Sequence, residues 1–229
     1  MNFTCLIPFY NESSRVIPML KRLEKASSLS SIICVDDGST DSSAIEIKRL
    51  FPQFKLLQLS INQGKTAAIM KGLEIVTTES VLLLDADLRN LQANEIENAL
   101  KIFEKHHLDC LFLHTFAMDK LNTVLRHFFP FLLLATGNRI IRTKYLRASL
   151  LLGHPNKYQL EVAQNQYLLD KHKQIAYVEI TAQNVEKISK VGLLKGISQE
   201  IEMWWQIINY KGWKYFMLQN KKLKLKKIV

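Results

Sequence analysis

Two hydrophobic periods alternate along the first 114 residues. Short apolar runs at Phe3–Pro8, Ser31–Val35, Lys55–Leu59, Val81–Leu84 and Asp109–His114 have the length and composition of strands. The segments between them repeat apolar residues every three to four positions, as helices do. Ser13–Ala26 places Val16, Met19, Leu20 and Leu23 on one face, and Gln92–His106 does the same with Ile96, Ala99, Leu100 and Phe103. Asp41–Leu50, ended by Pro52, and Thr66–Val76 are the other two predicted helices. Repeated strand–helix–strand units predict an α/β fold, a mostly parallel, doubly wound sheet flanked by helices. The pattern changes after about residue 118. Leu121–Ala135 is apolar and helical up to a break around Pro130 and Gly137. Lys157–Lys171 follows as a helix and Gln174–Thr181 as a strand. Gly192–Tyr210 is amphipathic, with Leu194, Ile197, Ile201, Trp204, Trp205 and Ile208 apolar. The tail carries Lys221, Lys222, Lys224, Lys226 and Lys227.

Composition narrows the class. With 229 residues, 48% of them hydrophobic, the chain can bury one core, with at most an appendage. No apolar run reaches the roughly 18–20 residues of a membrane span; Phe128–Ala135 comes nearest and contains Pro130. A basic stretch followed by an apolar one is missing at the N-terminus, so no signal peptide is expected. Cys5, Cys34 and Cys110 lie in apolar strand runs without metal spacing. Buried reduced thiols fit a cytoplasmic location. The net charge of +10 is uneven: residues 1–107 hold 12 Lys+Arg and 13 Asp+Glu, residues 108–229 the remaining 19 and 8. That asymmetry points to an anionic partner for the second half.

Chemistry concentrates where predicted strands give way to helices. Val81-Leu82-Leu83-Leu84 is wholly apolar, and Asp85-Ala86-Asp87 follows it directly. Residues i and i+2 share a strand face, so both carboxylates can point one way at the carboxyl end, the edge where open α/β sheets bind ligands. Two hard oxygen donors there suit Mg²⁺ or Mn²⁺ shared with substrate phosphates. Three more polar segments fall on the same edge: Pro8-Phe9-Tyr10-Asn11-Glu12, Val35-Asp36-Asp37-Gly38-Ser39-Thr40-Asp41 and Asn62-Gln63-Gly64-Lys65-Thr66. The last is not a P-loop, because Leu59 stands where that motif needs glycine. The first strand lacks the glycine-rich turn of nucleotidyltransferases, and no Gly-x-Gly-x-x-Gly is present.

In this order and spacing, the four segments resemble those of the inverting glycosyltransferases of family 2, which have the GT-A fold of nucleotide-diphospho-sugar transferases. The resemblance spans roughly residues 3–90 and implies a nucleoside pocket lined by Pro8, Tyr10 and Glu12. Asp37 or Asp36 would accept a hydrogen bond from the base, Lys65 would sit near the nucleotide, and Asp85 and Asp87 would hold a divalent cation (Mg²⁺ or Mn²⁺). Thr136-Gly137-Asn138-Arg139 resembles a loop of the polyprenyl-phosphate branch, in which Arg139 would contact a phosphate. Tyr158-Gln159-Leu160-Glu161 resembles the segment opening the acceptor-side helix; Glu161 there could deprotonate a hydroxyl, orient a neighbour or cap the helix. Ser189-Lys190 partly matches a further element of that branch, which makes Lys190 an acceptor-binding candidate; Asn184 and Lys187 depart from its pattern, as does Arg89 two places after the acidic motif. The resulting division is a GT-A domain over 1–183, with a donor-binding half at 1–117 and an acceptor-side half at 118–183. Residues 184–229 form an amphipathic helical and basic extension.

The function expected is a metal-dependent inverting glycosyltransferase, with Asp87 and Glu161 as its catalytic candidates. It would move a sugar from a nucleoside diphosphate sugar to an acceptor, polyprenyl phosphate or a glycolipid among the candidates. The alternative is a catalytically silent sugar-nucleotide-binding or membrane-associated scaffold. The tryptophans and lysines of the extension suit an anionic membrane surface, which would make the protein peripheral on the inner face of the cell membrane. No nucleic-acid motif is present.

Overall fold

The computed structural model describes residues 2–115, 136–151, 159–183 and 226–228. Within them the chain runs β1 (Phe3–Phe9), α1 (Ser13–Leu23), β2 (Leu29–Asp36), α2 (Ser43–Leu50), β3 (Lys55–Gln58), α3 (Lys65–Leu73), β4 (Ser80–Leu83), α4 (Ala93–Lys105) and β5 (Cys110–Thr115). After the gap come β6 (Arg139–Arg142), α5 (Thr143–Leu151), α6 (Gln159–Asp170), β7 (Ile175–Ile180) and β8 (Lys226–Lys227). The expected helix over Leu121–Ala135 and the amphipathic helix over Gly192–Tyr210 lie outside the described residues.

One eight-stranded sheet orders these strands β3-β2-β1-β4-β6-β5-β7-β8. All pairings are parallel except the two made by β6, which runs antiparallel between β4 and β5. The centre is buried on both faces: every residue of β1 and of β4 is buried. Alternation then splits the core in two. Phe3, Cys5, Ile7 and Phe9 meet α1, α2 and α4 on one face. Leu6, Val35, Val81, Leu83 and Phe112 meet α3, α5 and α6 on the other. The result is a three-layer α/β sandwich, as the repeated units predict.

Local chemistry moves several boundaries. α2 starts at Ser43 and not at Asp41, because Asp41 accepts the N–H groups of Ser43 (3.0 Å) and Ser13 (3.0 Å) and so caps α2 and α1 together. These bonds hold the Asp41 carboxyl below its ordinary pKa against the opposing effect of burial. α3 ends at Leu73. Beyond it the Arg147 guanidinium of α5 reaches the carbonyls of Leu73 (2.7 Å) and Val76 (3.2 Å). β6 and α5 are additions to the sequence reading. Four residues with arginine at both ends give no strand period, yet Ile140 and Ile141 are fully buried between β4 and β5.

Candidate active site

The carboxyl ends of β1, β2 and β4, with the turn before α3, place the four polar segments on one sheet edge. The first two are laced together. Asn11 takes a left-handed conformation (φ 53°). Its N–H donates to Ser39 Oγ (2.9 Å), and its Oδ1 accepts from the N–H groups of Thr40 (2.8 Å) and Asp41 (3.3 Å). Glu12 N–H donates to Ser43 Oγ at 3.2 Å. Tyr10 is exposed and Pro8 buried; Glu12 is half-buried and pairs with Arg15 at 2.6 Å.

Asp36 and Asp37 are both buried, and both carboxylates are engaged. Asp36 accepts from Ser39 N–H (2.8 Å) and Gln58 Nε2 (3.1 Å). Asp37 Oδ1 accepts from Gln63 N–H and its Oδ2 from Gly64 N–H, each at 2.8 Å. Sequence reasoning treats these two residues as nucleoside ligands. The structure adds that they fasten the loops at this sheet edge.

Asp85 and Asp87 stand half-buried just past β4. Asp85 N–H donates to Asn138 Oδ1 at 2.8 Å. The loop beyond Asp87 is tied by paired backbone bonds between Arg89 and Gln183, each 2.9 Å. At Asp85 three elements converge. Lys65 Nζ, from the first residue of α3, donates to Asp85 Oδ1 (2.7 Å) and to Glu161 Oε1 of α6 (2.8 Å). Burial opposes the charge on Lys65, but the two carboxylates outweigh it and raise its pKa above the ordinary value.

Arg139 lies beneath this ion triad, fully buried, with its guanidinium 4.8 Å over the Phe112 ring. Nη1 donates to Asn165 Oδ1 (2.9 Å) and Nη2 to the Thr136 carbonyl. Burial lowers its pKa, while Cys110, Glu161 and Asp85 act in the opposite direction. Sequence reasoning missed Asn138 and Asn165. Asn165 follows Glu161 by four positions, so helical spacing alone puts both on one face of α6. Lys190 and Tyr158 lie outside the described residues.

Among the described residues no group of three or more His, Cys, Asp or Glu forms a ready-made metal cage. Two adjacent carboxylates at a strand end still fit Mg²⁺ or Mn²⁺, which take few protein oxygens and complete their shell with water and phosphate. The Lys65 ammonium already pairs with Asp85 Oδ1, so a metal ion there would share that carboxylate with it.

The sequence model described as "Glycosyl transferase family 2" matches residues 4–156, well over half of the chain. The chain belongs to glycosyl transferase family 2. This family 2 chain is 36% identical over 108 residues to undecaprenyl-phosphate 4-deoxy-4-formamido-L-arabinose transferase of Pseudomonas syringae pv. syringae (strain B728a), covering 44% of this chain and 32% of that one. It is 26% identical over 121 residues to dodecaprenyl-phosphate galacturonate synthase of Rhizobium johnstonii (strain DSM 114642 / LMG 32736 / 3841), covering 48% and 35%. It therefore spans about a third of the length of these relatives. Glucosyl-3-phosphoglycerate synthase from Mycobacterium tuberculosis, solved with Mn²⁺, uridine diphosphate and glucosyl-3-phosphoglycerate, superposes with a TM-score of 0.72 at 16% identity, covering 91% of this chain and 78% of that one. At that identity the likeness is one of fold: the family 2 chain has the mixed α/β sheet of the GT-A glycosyltransferases.

Proposed function

We propose that this protein is an inverting glycosyltransferase that moves a sugar from a nucleoside diphosphate sugar to a polyprenyl phosphate. The observation that carries the proposal is the meeting of Asp85, Lys65 and Glu161 from three elements at the carboxyl end of β4, beside Asp87. The base and ribose would lie between the segment of Pro8, Tyr10 and Glu12 and that of Asp36 and Asp37. Each Asp37 oxygen retains a second lone pair with which to accept a base N–H. Asp85 and Asp87 would hold a divalent cation, which supplies charge stabilisation for the departing diphosphate. Solved glucosyl-3-phosphoglycerate synthase complexes, which contain uridine diphosphate with Mn²⁺ or Mg²⁺, support that choice of ligands.

An acceptor attacking the anomeric carbon from the face opposite the diphosphate completes the transfer in one displacement. The relatives that act on undecaprenyl and dodecaprenyl phosphate support a phosphate acceptor. Such an acceptor is already ionised and needs no base. Glu161 then serves as the counter-charge that holds Lys65, and Arg139 supports both carboxylates from the core side. With a hydroxyl acceptor, Glu161 would instead have to release Lys65 before taking a proton.

Calorimetry with uridine diphosphate and Mn²⁺, followed by a transfer assay with undecaprenyl phosphate, tests the reading. Metal-dependent binding is expected, together with loss of transfer in a folded Asp87→Ala variant. Full turnover by that variant would remove Asp87 from the mechanism. Nucleotide binding without any turnover, across a panel of donor sugars, would favour the scaffold reading.

A further inference from the structure

The loop before α3 is exposed over residues 60–63, yet it delivers Lys65 to the most crowded point of the site. What fastens this loop comes from the β2–α2 turn. Leu59 N–H donates to the Asp36 carbonyl at 2.8 Å. Gly38, in a left-handed conformation (φ +74°), lies so close to the loop that a Cβ would meet the backbone of Ile61 and Asn62 at 2.6–2.9 Å. The two hydrogen bonds nearest Lys65 both end on Asp37: Gln63 N–H on one oxygen and Gly64 N–H on the other. Gly64 is the N-cap of α3, has φ 93°, and receives no side-chain cap from its own helix. The Asp37 carboxylate, from another loop, instead holds the backbone at and just before the N-cap. Lys65 is the next residue, and its ammonium spans Asp85 and Glu161 at 2.7 and 2.8 Å.

We propose that Asp37 is a positioning residue for Lys65: by clamping the backbone of Gln63 and Gly64 it fixes the start of α3 and so sets the ammonium between Asp85 and Glu161. The nucleoside pocket and the reacting end then share one rigid connection, Asp37–Gly64–Lys65. A donor whose base engages Asp37 acts on the same carboxylate that aims Lys65. The kinetic part of this inference rests on the glycosyltransferase reading; the structural part does not.

Two measurements on the full chain test it. The first is competitive acylation with acetic anhydride, read by mass spectrometry at Lys65 and at Lys71. Lys71 lies on the same helix and pairs with Glu74 at 2.7 Å, remote from the clamp. In Asp37→Asn and Asp37→Ala the rate at Lys65 should rise about ten- to a hundredfold, the effect of losing one hydrogen bond to a charged acceptor. The rate at Lys71 should stay constant. An unchanged Lys65 rate overturns the proposal. A parallel rise at Lys71 overturns it too, since Asp37 would then support α3 as a whole. The isosteric Asp37→Asn variant serves if the alanine variant does not fold. The second is a double-mutant cycle on kcat. Asp37→Asn should lower kcat in the wild-type background and change it by less than about threefold in a Lys65→Met background, because groups acting through one another are not additive. Losses that multiply would show Asp37 and Lys65 acting independently. If the wild-type protein binds no uridine diphosphate with Mn²⁺, the donor reading fails, and the acylation experiment still decides the clamp.

Discussion

Gly137 stands where a side chain would press on the ion triad. A Cβ there would lie 2.3 Å from Lys65 Nζ and 2.9–3.0 Å from the Asp85 carboxylate oxygens. These atoms are the ends of side chains, so the protein can relieve the clash by moving them and leaving the backbone in place. Gly137→Ala should therefore fold with a stability within about 1 kcal/mol of wild type. Its cost should fall on the ion triad: if that triad serves transfer as proposed, the rate should drop at least tenfold when its charged groups are displaced by about an ångström. Chemical denaturation and initial-rate kinetics on the same preparation check the two halves. A large loss of stability with unchanged turnover would show that Gly137 serves packing and not the site. The pair Asp85–Asp87 was legible in the sequence because two letters after an apolar run define a strand end. The contact Lys65–Glu161 was not, because 96 positions separate the partners and only the fold brings them together.

At the scale of elements, the strands read most easily were those buried on both faces, where composition alone marks them. β6 was missed because its charged ends, Arg139 and Arg142, are satisfied by the fold: Arg139 by Asn165 and the Thr136 carbonyl, Arg142 by the Leu108 carbonyl at 3.2 Å. α6 shows little amphipathic pattern because Gln164 and Asn165 are themselves buried. Polar residues on a core-facing helix are the local irregularity expected beside a functional site. Helix starts also depended on partners in other loops. Asp41 caps α1 and α2 at once, so Asp41→Ala removes acceptors from Ser13 N–H and Ser43 N–H together. The expected loss is about 1–3 kcal/mol by urea unfolding at pH 7. The Asp41 pKa is lowered in the folded state from its ordinary 3.8. Its stabilisation is therefore complete above that value and disappears as pH falls through the lower folded value. The difference between wild type and Asp41→Ala should shrink below about pH 4. A difference independent of pH down to 2 would mean that the carboxylate charge plays no part in the capping.

At the scale of the whole molecule, lysines of the described residues gather at one end of the sheet. Three lysine-bearing stretches converge at the end of the sheet away from the candidate site: Lys105 at the end of α4, Lys171 and Lys173 after α6, and Lys226-Lys227 in β8. Parallel pairing of β5, β7 and β8 brings them together, since each stretch lies at or just before the start of one of these strands. His106, Lys173 and Lys226 line one cleft there, with Leu108, Ile175 and Ile228 as its apolar wall. Among the described residues no helix is long and apolar enough to cross a membrane, so contact with a bilayer through them would have to be peripheral. Each lysine held at an anionic surface contributes about 1 kcal/mol, and salt screens that attraction over about 10 Å at 0.1 M. The protein is therefore expected to sediment with vesicles rich in phosphatidylserine, to ignore neutral vesicles, and to be released as salt rises. Replacing Lys105, Lys171 and Lys226 together with glutamate should abolish sedimentation. It should leave uridine diphosphate binding intact, because these residues are at the far end of the strands from Asp37 and Asp85. If the intact protein ignores anionic vesicles even at low salt, the cationic end is not a membrane surface. If the triple variant still sediments, the membrane meets another part of the chain.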